Sequence, residues 1–162
     1  MMRVGIGYDS HRFASDRPLI LGGITIPHPV GLAGHSDADA VAHAIADAML
    51  GAAALGDIGR LFPDTDPAHK NADSMVFLTA VRNHLRVHGW ALHQTDVTVI
   101  AEAPKLAPHT AAMEARLAEV LGVGANAVSV KAKTNEQMGF IGRAEGIAVM
   151  AVATVVALTP AG

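Results

Sequence analysis

The chain has 162 residues, a formal net charge of −3 and no cysteine. That length favours one compact domain, and the missing thiols exclude disulfides and thiolate metal sites. The slight acidic balance argues against nucleic acid as the main partner, because duplex binders carry a basic excess or stripe.

Hydrophobic residues make up 51% of the chain but aromatics only 4%. Small side chains bury little area each, so association with further copies would add burial. The start of the chain shows no charged stretch leading into an apolar run, and no secretory leader is expected. The longest apolar stretch, Ile147 to Leu158, is too short to span a bilayer, so no membrane partner is expected and the cytoplasm is the expected compartment.

In chain order, residues 3–10 read as a strand leading into a polar turn. Residues 19–27 read as a short hairpin about Gly22-Gly23. A helix is expected from Ser36 to about Leu55, with Ser36 and Asp39 as a capping-box-like pair and Gly56 at its C-terminal cap. Asp57 to Lys70 reads as a long loop, and a second helix runs from about Asp73 to His88, closed by Gly89. Residues 91–101 alternate as a strand. A third helix, near Pro108 to Leu121, ends at Gly122 and buries Met113, Leu117, Val120 and Leu121. Strands at 127–134 and 146–158 flank a turn from Gly139 to Gly146. The expected fold is α+β: one domain over residues 1–162, a mixed β-sheet with helices packed on one face. The bare face of that sheet then needs a neighbouring subunit.

Asp9 and His11 stand two apart in an extended segment, so a carboxylate and an imidazole point to the same side. His43 is the third candidate, opposite the apolar stripe Ala38, Val41, Ile45, Ala48 and Ala52 of its helix. Asp39 and Asp47 flank it one turn away, placed to receive the other ring N–H, as ligating histidines require. Two imidazoles and one carboxylate with an open position form the ligand set of a catalytic zinc site. An ordinary surface histidine between two aspartates stays open as the alternative. Before this helix, His35-Ser36-Asp37 offers unpaired N–H groups and a positive dipole end for phosphate, with Gly31 and Gly34 allowing close backbone approach. A second polar concentration runs from Lys131 to Glu136 and on to Arg143; its lysines and arginine suit phosphate, and Glu136 suits Mg²⁺. The turn Ala101 to Lys105 is uninformative by itself.

These segments together resemble the 2-C-methyl-D-erythritol 2,4-cyclodiphosphate synthase family. The matching pieces are Gly7-Tyr8-Asp9-Ser10-His11, His35 through His43, Gly56-Asp57-Ile58-Gly59, Phe62 through Pro67, Ala101 to Lys105, and Lys131 to Glu145 with its Gly-Phe-x-Gly-Arg. The resemblance implies Zn²⁺ on Asp9, His11 and His43. It implies catalytic roles for His35, Thr134 and Glu136, with Glu136 contributing to Mg²⁺ or Mn²⁺ on the substrate diphosphate. Ser36, Asp57, Gly59 and Asp64 would line the phosphate and methylerythritol pocket, and Ala101, Pro104, Lys105 and Ala132 would bind cytidine. Phe140 and Arg143 would line a central channel of a homotrimer whose active sites are shared between subunits. Lys133 and Asn135 stand where many relatives carry threonine, so Thr134 alone is carried over from that run. The resemblance also implies the stand-alone form, without a fused cytidylyltransferase, and the reaction of 4-diphosphocytidyl-2-C-methyl-D-erythritol 2-phosphate to the cyclic diphosphate and CMP. A zinc-dependent phosphohydrolase and a non-catalytic trimeric module binding an isoprenoid phosphate are the rival readings.

Overall fold

The computed structural model describes residues 1–158; the expected domain extends to Gly162, and residues 159–162 lie outside those described. The first strand, β1 (Met2–Ala14), is longer than its sequence suggests and sends alternate side chains to opposite faces. Val4, Ile6 and Tyr8 point to an open face, while Gly5 and Gly7 lie beneath helix α1 (Ala40–Ala53). A methyl group at Gly7 would sit 1.9 Å from the Ala44 carbonyl oxygen, and one at Gly5 would sit 2.2 Å from that of Ala48. Glycine here therefore sets how closely helix and strand approach.

The turn at Gly22 and Gly23, with φ of +60° and +72°, closes the expected hairpin between β2 (Leu19–Leu21) and β3 (Ile24–Ile26). Two-residue β4 (Gly31–Leu32) pairs with the end of β1. Helix α3 (Ser74–Val87) and α4 (Thr110–Leu121) follow the expected positions, and α4 ends at Gly122 with φ +67°. Short α2 (Ile58–Leu61) and a 3₁₀ turn (Pro67–His69) occupy the segment expected to be loop, each started by an aspartate cap, Asp57 and Asp66. Between β6 (Val128–Lys133) and β7 (Gly146–Ala157), the turn contains one helical turn, α5 (Gly139–Gly142).

Among the described residues the main sheet has five strands in the order β4-β1-β7-β5-β6, where β5 is Trp90–Ile100. Only β5 and β6 run parallel; the other neighbours are antiparallel. Helices α1, α3 and α4 pack against one face of the sheet, burying Val97, Val99, Val149, Ala151 and Val155. This is the expected α+β arrangement. No helix among the described residues is long and apolar enough to cross a membrane.

Helix α1 departs from expectation in three ways. It begins at Ala40, not Ser36, because buried Asp39 is its N-cap and accepts from the N–H groups of Val41 and Ala42. It ends through Ala54 in the left-handed region (φ 59°) rather than through Gly56. It also buries far more than a stripe: His43, Asp47 and Gly51 alone escape burial, which defines one narrow face a turn apart along the axis. Alanine-rich flanks permit this, since a thin helix can be enclosed on nearly all sides.

Candidate functional site

Strand period and helix period meet at one point. Asp9 and His11 continue the β1 face that carries Gly5 and Gly7, and His43 faces them from α1. Asp9 Oδ2 lies 2.8 Å from His11 Nε2 and 3.2 Å from His43 Nδ1. One donor atom from each residue falls within 4.8 Å of the other two. Gly34 leaves room for the His11 ring, since a methyl there would come within 3.3 Å of its Cε1.

The far nitrogen of each imidazole is engaged. His11 Nδ1 donates to the Ala33 carbonyl at 2.7 Å, which leaves Nε2 with its lone pair toward Asp9. His43 Nε2 lies 2.9 Å from Ser74 Oγ, and the Ser74 hydroxyl itself donates to Asp37. With these tautomers three electron-rich atoms face one another, which is the donor set that a divalent cation satisfies. Burial works against charge on Asp9, but its contacts with the imidazoles of His11 and His43 outweigh it and hold the carboxyl below its ordinary value. Burial likewise works against charge on His11, yet the hydrogen bond to Asp9 raises its pKa overall. Both shifts describe the metal-free centre, where a proton on His11 Nε2, bonded to Asp9, stands in the place that a cation would take.

The three residues line a cavity of about 260 Å³ together with His35, Ser36, Asp47, Gly59 and Asp64. Stacked Phe62 and Phe77 (ring centroids 4.6 Å apart), with His69 against both, give it an apolar wall. Arg17 holds the 34–36 segment in place by donating to the Gly34 and Ser36 carbonyls at 2.6 and 2.5 Å. Asp57 is not among the lining residues; it caps α2 through the Arg60 N–H and thereby shapes the cavity edge that carries Gly59.

Two sequence-based expectations about this region need correction. The flanking carboxylates do not receive the His43 N–H. Asp39 is fully buried and accepts from Gly22, Gly23, Val41 and Ala42, while Asp47 accepts from the Ile58 N–H at 2.8 Å. The start of α1 is also not an open anion site, because Asp39 caps it and the Asp37, Ala38 and Asp39 N–H groups are paired within the chain. His35 and Ser36 do line the cavity, ahead of the helix and not at its open N-terminus.

A second cavity of about 330 Å³ gathers Ala101, Pro104, Lys105, Ala132 and Thr134 where β5 and β6 end. Glu136 follows on the adjoining loop, with its Oε1 3.4 Å from Thr134 Oγ1. Glu136 and Gln137 both adopt left-handed φ, 51° and 61°. Glu102 holds that loop by accepting from the Asn135 and Gln137 N–H groups at 2.9 and 3.1 Å. Phe140 lines a third cleft with Ser10, His11, Arg12, Phe13 and Glu145, and Arg143 pairs with Glu145 at 2.7 Å. Ser74 and Arg17 were not singled out from sequence; Asp37 was read only as part of the segment before α1, and Glu102 only within an uninformative turn. Each acts on a partner at least 17 positions away, a separation that neither helix nor strand periodicity reports.

A family model of the YgbB family matches residues 2–156. A protein of Gemmatimonas aurantiaca named 2-C-methyl-D-erythritol 2,4-cyclodiphosphate synthase is 56% identical over 158 residues, covering 98% of this chain and 95% of its own. The structure of the bifunctional IspDF of Campylobacter jejuni superposes with a TM-score of 0.94 at 43% identity, covering 98% of this chain and 43% of that longer one. A structure of 2C-methyl-D-erythritol-2,4-cyclodiphosphate synthase in a CDP-bound form superposes with a TM-score of 0.87 at 38% identity, covering 95% of this chain and all (100%) of that one. With sequence and backbone agreeing over nearly its whole length, the chain belongs to the YgbB family.

Proposed function

We propose that the chain is a 2-C-methyl-D-erythritol 2,4-cyclodiphosphate synthase, a phosphorus–oxygen lyase of isoprenoid precursor synthesis. It would convert 4-diphosphocytidyl-2-C-methyl-D-erythritol 2-phosphate to the cyclic diphosphate and CMP. The observation that carries this is the convergence of Asp9, His11 and His43 in a cavity that His35 and Ser36 also line, in a chain whose relatives bear the synthase name.

The 2-phosphate oxygen forms a bond to the β-phosphorus, the bond from that phosphorus to the oxygen bridging to the α-phosphate breaks, and CMP leaves with the electron pair. The nucleophile is already anionic, so positioning and charge neutralisation carry the rate. A divalent cation, zinc by its donor set, would be held by Asp9, His11 and His43, and Mg²⁺ or Mn²⁺ by Glu136 with substrate phosphates; these supply Lewis-acid neutralisation. His35 and Ser36 would hold a phosphate oxygen between them, and the His35 Nε2 lies 3.1 Å from the Asp66 carbonyl, which sets the ring's orientation. Gly59 and Asp64 would bound the methylerythritol portion, with Asp57 holding α2 in place. Thr134 would donate its hydroxyl to the diphosphate. Lys105 and the backbone around Ala101, Pro104 and Ala132 would take the cytidine.

The assembly would be a homotrimer with shared sites. Val4, Ile6 and Tyr8 are 66, 64 and 54% exposed on the open sheet face, next to Met150 at 42%, a patch that asks for cover. Phe140 and Arg143 would then line a channel between copies.

The test is phosphorus NMR of the protein with the diphosphocytidyl substrate, Zn²⁺ and Mg²⁺. A cyclic diphosphate is expected in equal amount with CMP, abolished by chelation and by His43→Ala. CMP with a linear product would make the chain a phosphohydrolase. An unchanged spectrum from folded, metal-loaded protein would make it a binding module.

A further inference from the structure

We infer that Ser74 and Asp37 form a relay that fixes His43 as its Nε2–H tautomer, so that Nδ1 presents a lone pair to Asp9 and to a bound cation. This rests on the proposed metal centre, and it adds to that centre two positioning residues.

The chain of donors runs one way. Asp37, as a carboxylate, only accepts. Its two oxygens take the Ser74 backbone N–H at 3.0 Å, the Asp39 N–H at 3.1 Å and the Ser74 hydroxyl. A serine hydroxyl has one proton, and that proton is committed to Asp37. Ser74 Oγ can therefore only accept from His43 Nε2, 2.9 Å away. Ser36 Oγ lies 3.4 Å from the same nitrogen and is the weaker partner. Ser74 is 0% exposed, so its hydroxyl is not shared with bulk water. Asp37 in turn is anchored by its own N–H to the Ala72 carbonyl at 3.1 Å, which ties the relay to the turn that starts α3.

The direction matters because a competing acceptor stands on the other side of the ring. Asp9 Oδ2 lies 3.2 Å from His43 Nδ1 and, without a cation, draws the proton to Nδ1. That tautomer cannot ligate through Nδ1. The Ser74 relay opposes the draw before any metal arrives, so the site is organised for the cation in advance. Orienting partners of this kind change metal affinity about 10- to 100-fold.

Two measurements on Ser74→Ala test the relay. The first needs no metal: proton–nitrogen correlation of ¹⁵N-histidine-labelled, metal-free protein at about pH 8, above the usual range of histidine titration. The wild type is expected to show His43 as Nε2–H, and Ser74→Ala to move it toward Nδ1–H. A purely structural role for Ser74 would leave the tautomer unchanged. The second is zinc affinity by chelator competition, expected to weaken about 10- to 100-fold in Ser74→Ala and to recover in Ser74→Thr, which keeps the hydroxyl. Loss of zinc in His43→Ala, with unchanged tautomer and affinity in Ser74→Ala, overturns the relay and leaves the metal centre standing. Failure of the wild type to take up zinc overturns the metal centre, and the tautomer readout still decides the relay.

Discussion

Replacing Gly7 by alanine tests whether the approach of α1 to β1 builds the metal centre. The backbone at Gly7 lies outside the positive-φ region, so alanine adds a contact without backbone strain, and that contact is severe: 1.9 Å to Ala44 O and 2.8 Å to Ala48 N. Ordinary contact begins at 3.4 Å, so the helix must retreat by about 1.5 Å at its closest point. Overpacking of this kind costs about 1–3 kcal/mol. Restriction of the unfolded chain returns only ~0.4–1 kcal/mol, so destabilisation wins by roughly 1–2 kcal/mol. Ala44 is the neighbour of His43, and metal sites tolerate only about 0.2 Å in ligand distance. Zinc affinity should therefore fall more steeply than stability. The assays are urea unfolding of metal-free protein and zinc titration by chelator competition. Gly51→Ala is the control, because its methyl meets only Ile6 O at 4.0 Å; as a mid-helix glycine it should gain about 0.5–1 kcal/mol. A Gly7→Ala protein with the wild-type unfolding midpoint and zinc affinity would refute the coupling of helix approach to ligand geometry.

Burial pushes the Asp39 carboxyl up to about 6, against the pull of the Gly23, Ala42 and Gly22 N–H groups. The folded chain then holds a proton more tightly than the unfolded one, so stability falls as pH rises from the ordinary carboxylate range, 3.8, to about 6. The fall is on the order of 3 kcal/mol. Asp39→Asn should remove that slope in metal-free protein while lowering stability throughout, and unfolding curves of equal slope in both proteins would count against it. Glu102→Ala should raise the Mg²⁺ concentration needed for turnover about tenfold, through the two lost N–H bonds to the Glu136 loop. Glu102→Gln, which keeps a carbonyl acceptor, should stay near wild type; indistinguishable variants would show that the loop needs no such support.

What the sequence disclosed depended on the range of each interaction. Asp9 and His11 were legible because period two puts them on one face, and β1 keeps that alternation from Val4 to Phe13. The start of α3 was legible because Asp73 caps it locally. The start of α1 was misplaced for the same local reason. Ser36 has the composition of a cap, but Asp39 can bond the distant Gly22-Gly23 turn as well as its own helix, and so it takes the position. The partner of His43 was misassigned because helix spacing offers Asp39 and Asp47, while the tertiary fold had already committed both to backbone donors. Ser74, 31 positions from His43, leaves no periodic trace. In the second cavity, the polar run from Lys131 to Glu136 was legible, but the turn from Ala101 to Lys105 carried no local pattern, and the family resemblance alone joined the two.

One strand explains why a candidate metal-ligand set and an exposed apolar sheet face occur in the same chain. On one side of β1, Gly5 and Gly7 admit α1 so closely that His43 meets Asp9 and His11; on the other, Val4, Ile6 and Tyr8 are more than half exposed among the described residues. Across the sheet, Asp9 is in register with Val149, Val149 with Val99, and Val99 with Ala132. The two cavities therefore open toward the same end of the sheet, their markers Asp9 and Ala132 three strand spacings or about 14 Å apart. Their linings share no residue. A single chain thus offers a pocket with a candidate metal-ligand set and a separate pocket where β5 and β6 end. In the proposed homotrimer, a neighbouring copy seated on the apolar face of β1 and β7 would cover the side of the sheet opposite α1 and bring a second chain's loops to the site. Closure of the site and burial of the face would then be a single event, so that a variant unable to associate would lose catalysis even with its metal ligands intact.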